Sequence, residues 1–166
     1  MLVLLILLSG CPYESSVPLS SPDKAEIDPV LIGTWIFTDK EKKKDYEIPF
    51  IAFNDHEYLI VLSNDEETDY IRAFTTEIAG RRFLNYKKLH VDGSPEKYGF
   101  LRYEIQNDRL YVHTVEDDLI TKEFENPTEL YDHVKKHIAD ERLYSPFAVF
   151  RRARTESVSQ ERHHAR

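Results

Sequence analysis

From position 31 to position 116, short apolar stretches alternate with polar turns. "LIGTWIFT" at 31–38 puts Gly33, Trp35 and Phe37 on one face of a strand, because successive side chains in a strand point to opposite sides. "YEIPFIAFN" is a second strand, and Pro49 within it implies an edge or a bulge, since proline has no N–H for a ladder. "DHEYLIVLS" is a third. "YIRAFTTEIA" and "RRFLNYKKL" form a hairpin about Ala79 and Gly80, and "YGFLRYEIQ" and "RLYVHTVE" form another about Asn107 and Asp108. The separators "DKEKKKD", "NDEETD" and "HVDGSPEK" are rich in turn-forming residues.

The period then changes. "NPTELYDHVKKHIADE" brings Leu130, Val134 and His137 or Ile138 to one side of a helix, with Tyr131 extending the stripe. Either Thr128 caps it, or Asn126 does with Pro127 in the first turn. The helix is expected near 128–140, and "SPFAVFRRA" closes the domain as a last strand. Eight strands joined by short turns favour a mostly β fold, an antiparallel meander closing into a barrel, with one helix before the last strand. Closure removes exposed strand edges. The domain is expected at 30–153, with a disordered basic tail at 154–166.

The ends of the chain read differently. "MLVLLILLSG" is too short for a spanning helix but long enough for the apolar region of a secretion signal, assigned to residues 1–10. The single cysteine, Cys11, follows at once and excludes an intrachain disulfide. Leu8, Ser9, Gly10 and Cys11 resemble the lipobox of bacterial lipoproteins. The resemblance implies lipidation of the Cys11 sulfur, cleavage before it and a membrane-anchored envelope protein. Pro12, where many inner-membrane lipoproteins have aspartate, favours the outer membrane in a host that has one. "PYESSVPLSSPDKAEIDP" is rich in Ser and Pro, and 11–29 is expected to be a flexible tether. The formal net charge of -8 argues against nucleic acid as a partner, although the last sixteen residues carry five Arg and two Glu.

"GTW" on the first strand resembles the calycin superfamily, the lipocalin-like barrels. In that family the tryptophan plugs the closed end and a basic residue near the last strand lies across its ring. The resemblance gives those places to Gly33 and Trp35, with Arg151 or Arg152 as the basic partner. Lipocalins carry their helix after the last barrel strand, whereas here it precedes the final strand.

Reactive chemistry is sparse. His133 and His137, four apart on a helix, are candidate metal ligands only with a third such as Asp140 or Glu141. In "HTVEDD", His113 and Asp117 share a strand face and could pair as base and carboxylate, although the run reads first as an acidic turn. "NDEETD" could offer oxygens to calcium but fits no EF-hand loop. Ser94 has no visible base, no phosphate-binding loop is present, and no pattern calls for a cofactor. Ten tyrosines and nine phenylalanines either fill the core or line an apolar pocket, with Tyr58, Tyr70, Phe74, Phe83 and Tyr103 as candidate lining. The sequence therefore favours a non-enzymatic, lipid-anchored envelope protein binding an apolar small molecule or a protein partner. A hydrolase built from His and Asp or Glu, and a purely structural envelope protein, are the alternatives.

Overall fold

A computed structural model describes residues 11–89 and 96–154. The expected signal segment 1–10, His90, Ser94 and the expected tail from 155 onward lie outside the described residues. Eight antiparallel strands close into a barrel in sequence order: β1 (Gly33–Asp39), β2 (Lys44–Ala52), β3 (Tyr58–Ser63), β4 (Thr68–Ile78), β5 (Arg81–Lys88), β6 (Gly99–Gln106), β7 (Arg109–Thr114) and β8 (Ala148–Arg152). The architecture is consistent with a lipocalin-like fold. Closure comes from β1 pairing with β8, Phe37 opposite Phe150.

Local chemistry sets the turns. Ala79 and Gly80 between β4 and β5, and Asn107 and Asp108 between β6 and β7, all have positive φ, as tight hairpins matched to strand twist require. Pro49 pairs opposite Thr34 on β1, and the β2–β3 ladder begins only one residue later at Phe50. The missing N–H thus falls where β2 has already parted from β3.

The one α-helix among the described residues, α1 (Pro127–His137), precedes β8. Asn126 is its cap, accepting the Glu129 N–H at 2.9 Å, with Pro127 at the first position where a missing donor costs nothing. Leu130 and Val134 are wholly buried. They pack outside the barrel.

Two apolar cores result. The inner one fills the barrel with Trp35, Phe37, Ile48, Phe50, Tyr58, Ile60, Leu84, Tyr103, Leu110 and Phe150 among others. The outer one joins α1 to the wall through Ile78, Phe83, Phe100, Val115 and Leu143.

Residues 11–29 are not a free tether. Tyr13, Leu19 and Ala25 are buried, and Tyr13 and Leu19 belong to the outer core. The segment enters between the ends of β6 and β7, where Tyr13 N–H donates to Val115 O at 2.9 Å and Ser15 exchanges two bonds with Tyr98. It then crosses the outer wall. The Leu19 N–H donates to Asn85 Oδ1 at 2.8 Å, and Thr75 Oγ1 donates to Glu26 O at 2.8 Å. Ser/Pro composition predicts a solvated leash, but its sparse apolar residues dock and its backbone finds partners. The segment is a strap running from one end of the barrel to the other.

Candidate functional site

The strap ends by sealing the barrel. Asp28 lies among Tyr58, Arg82 and Tyr103: its N–H donates to the Tyr58 hydroxyl at 2.5 Å, and its carboxylate meets Arg82 at 2.8 Å and the Tyr103 hydroxyl at 3.3 Å. Burial pushes the Tyr58 phenol up to about 12 and raises that of Tyr103 as well. Beside them Trp35 is fully buried, its Nε1–H donating to Leu31 O at 2.9 Å. The Arg152 guanidinium lies 4.3 Å from the Trp35 ring and donates to Ile32 O and Val30 O. Gly33, at φ +126, is the residue this approach requires, since a Cβ there would stand 3.1 Å from Arg152 Nη1. Arg151 points the other way, to Asp45 at 2.6 Å on the outside.

The opposite end is mixed, with Phe37, Leu62 and Ile71 at most 9% exposed. Inward-facing Tyr46, Tyr86, Leu101, Val112 and Ala148 pack against the inner core yet are only partly buried. At the sealed end, Leu31, Trp35, Tyr58 and Tyr103 are at most 3% exposed, while Ile27, Ile32 and Ile105 are partly buried. Leu101, Val112 and Ala148, partly exposed beside the Tyr86 hydroxyl, form an apolar patch at the β5–β8 side of this end, here called the mouth.

The rim of this mouth carries an unusual group. Leu110, Val112 and Thr114 alternate inward along β7, while Val115 turns out to the outer core, so Glu116 follows on the inward side. Glu116 is 4% exposed, and neither carboxylate oxygen has a hydrogen-bond partner. Burial, then the charges of Asp117 and Asp118, raise its pKa above the ordinary carboxylate range. Tyr86 is close enough to feel Glu14 and Glu116. Burial, with those charges, pushes its phenol up to about 12. Glu14 follows Tyr13, which joins the outer core.

No family model, curated protein or solved structure matches the chain.

The sequence candidates distribute as follows. Tyr58 and Tyr103 face inward but belong to the sealed end. Phe83 belongs to the outer core, Phe74 stacks edge-on against Tyr98 of the wall, and Tyr70 is half exposed. These three line no interior, because both faces of the wall are covered and aromatic content alone does not tell one from the other. His133 and His137 have rings 4.7 Å apart, but His133 Nε2 meets Leu119 O at 2.9 Å. Among the described residues no three His, Cys, Asp or Glu side chains gather where they could hold a metal ion. Asp140 binds Arg142 instead. His113 Nδ1 meets Ser145 O at 3.0 Å rather than Asp117, because the strand ends at Thr114 and Asp117 opens a 3-10 turn. The acidic stretch at 64–67 is a self-bonded turn on Asn64 Oδ1.

A groove of about 260 Å³ lies at the sealed end of β5 and β6, lined by Arg81, Arg82, Arg102 and Tyr103 among others. Each guanidinium is already engaged, with Ile138 O, Asp28 and Glu104 respectively, so the groove reads as a structural seam. Sequence reasoning missed the mouth residues and Glu116. Their signal was alternation continued past the end of "RLYVHT" into the acidic run.

Proposed function

We propose that the chain is a lipid-anchored envelope protein that binds an apolar small molecule in the barrel mouth and catalyses no reaction. The observation that carries this is the group of partly exposed apolar side chains Leu101, Val112 and Ala148 on the inner face beside Tyr86 and the buried, unpartnered Glu116. Apolar concavities with a few placed polar groups are where proteins hold small ligands.

Support for the anchor is the "LSGC" pattern together with the place of Cys11. Cys11 is exposed, and its carbonyl accepts the Asp117 N–H at 3.1 Å, one residue from Glu116 at the rim. A lipid on Cys11 would then hold the mouth end, not the sealed end, near the bilayer. Several acyl chains on one residue make a stable anchor where a single chain does not. By the lipoprotein resemblance, Pro12 favours an outer-membrane destination in a host that has one.

A second reading, a protein partner, draws on the outer wall, where Ile51, Phe53 and Tyr70 are each about half exposed at 49–51%. Native mass spectrometry of the full chain purified gently from its own host separates the two. A retained apolar molecule supports the mouth, a stoichiometric protein supports the wall, and turnover of ester, phosphate, peptide or glycoside substrates by the same preparation would defeat both.

A further inference from the structure

We propose that Glu116 receives the ammonium group of an alkylamine whose chain lies in the barrel mouth. This deepens the mouth reading and rests on it. Four carboxylates are buried among the described residues: Asp39, Glu57, Asp69 and Glu116. The first three are accounted for. Asp39 accepts the N–H groups of Glu41 and Lys42, Glu57 pairs with Arg72, and Asp69 pairs with Lys88 at 2.6 Å. Glu116 alone of the four has both oxygens shut from water with no donor on either. Buried polar groups are normally satisfied, and an exception calls for an explanation.

The surroundings select the missing partner. The charges acting on Glu116 are those of Asp117 and Asp118, and Glu14 and Glu116 act together on Tyr86. This corner is negative and would repel an anion. A metal ion would need further ligands, and no such group forms among the described residues. Protonation would remove the charge but leave an unpaired hydroxyl in place of an unpaired oxygen. An ammonium has three donors and a positive charge. Two can go to the Glu116 oxygens and the third to the Tyr86 hydroxyl. The strand makes room for that phenol at Gly99, where a Cβ would stand 2.4 Å from the Tyr86 oxygen. Behind the head, Leu101, Val112 and Ala148 offer apolar contact for a chain.

The test is calorimetric titration of the full chain at pH 7.5 and physiological salt with hexylamine, with 1-hexanol, and with dihexanoyl phosphatidylethanolamine. The same ammonium could come from a free amine or from a lipid headgroup, and the third probe separates these sources. Hexylamine should bind one per chain at least about tenfold more tightly than hexanol, the scale of a charge-assisted hydrogen bond. In Glu116→Gln the preference should fall to within about twofold, with hexanol binding unchanged. Glu116→Met should abolish the preference too, which guards against a fold defect peculiar to the amide. The lipid's phosphate should make it the poorer amine ligand beside Glu14. Tighter binding of the lipid, still lost in Glu116→Gln, would uphold the ammonium site and assign it to a headgroup. Hexanol binding with no amine preference would overturn the role of Glu116 and leave the mouth standing. Failure of every probe to bind would overturn both.

Discussion

Replacing Glu116 by methionine should stabilise the protein, the reverse of what removing a buried side chain normally does. Methionine matches the length of glutamate, is larger by only about one methylene, and has no polar group to satisfy. Leaving a buried polar group unpaired costs about 1–3 kcal/mol, and Glu116 has two such oxygens at 4% exposure. For a chain of 166 residues each kcal/mol moves the midpoint by about 2–4 °C, so the gain should be about 2–12 °C near neutral pH. The sign of the pH dependence follows from the raised pKa. As pH rises through the ordinary glutamate range, the unfolded chain gives up this proton before the folded one does. Folding stability therefore falls as pH rises toward the folded-state value, and the penalty is complete above it. The groups that reinforce it are Asp117 and Asp118, with Glu14 and Tyr86 at the same corner. Glu116→Met should thus gain more at pH 7.5 than at pH 4, read by thermal unfolding of both proteins at each pH. A lower midpoint for the variant at pH 7.5, or a gain independent of pH, would refute the reasoning.

Three other outcomes are expected. Trp35→Ala should cost about 3–5 kcal/mol, read as a sharply lower unfolding midpoint, because the ring is fully buried, hydrogen-bonded to Leu31 O and stacked under Arg152. Leu19→Asp should speed amide exchange at Tyr13, Ser15 and Leu19 while the β4–β5 ladder keeps its protection, since Leu19 is an apolar anchor of the strap. Cys11→Ala should lose the fatty-acid label that the native chain takes up in its own host, and equal labelling of the two would end the anchor proposal.

The strands were legible because each alternates over its length and ends in residues that turn chains, as at Asn107–Asp108 and Ala79–Gly80. The helix was legible from Leu130 and Val134 four apart behind an Asn-Pro start. The direction of each aromatic was harder. On β4, Ala73 packs inside and Ile78 outside, and both are buried, because α1 and the strap cover the outer wall. Sequence alternation between buried and exposed fails where neither face is exposed. The strap misled for a related reason. Tyr13, Leu19 and Ala25 are six apart in a Ser/Pro-rich stretch, too sparse for a periodic signal, yet each finds a place on a preformed wall. Glu116 sits among two other acids in "EDD", and only the third dimension separates it from its exposed neighbours. The Trp35 neighbourhood was partly readable, and Arg152 rather than Arg151 lies over the ring because β8 turns alternate residues inward, Phe150 and Arg152 together.

The central claim is that the mouth end of the barrel holds an apolar molecule. The most direct measurement is saturation binding of a neutral, environment-sensitive naphthalene dye to the full chain, compared with Val112→Trp, which sets a large ring beside Ala148 in the mouth. The account predicts one saturable site per chain in the native protein, displaced by hexanol, and its loss in Val112→Trp at an unfolding midpoint that still marks a folded barrel. Equal binding by the native chain and the folded variant, or no saturable binding by the native chain, would contradict it.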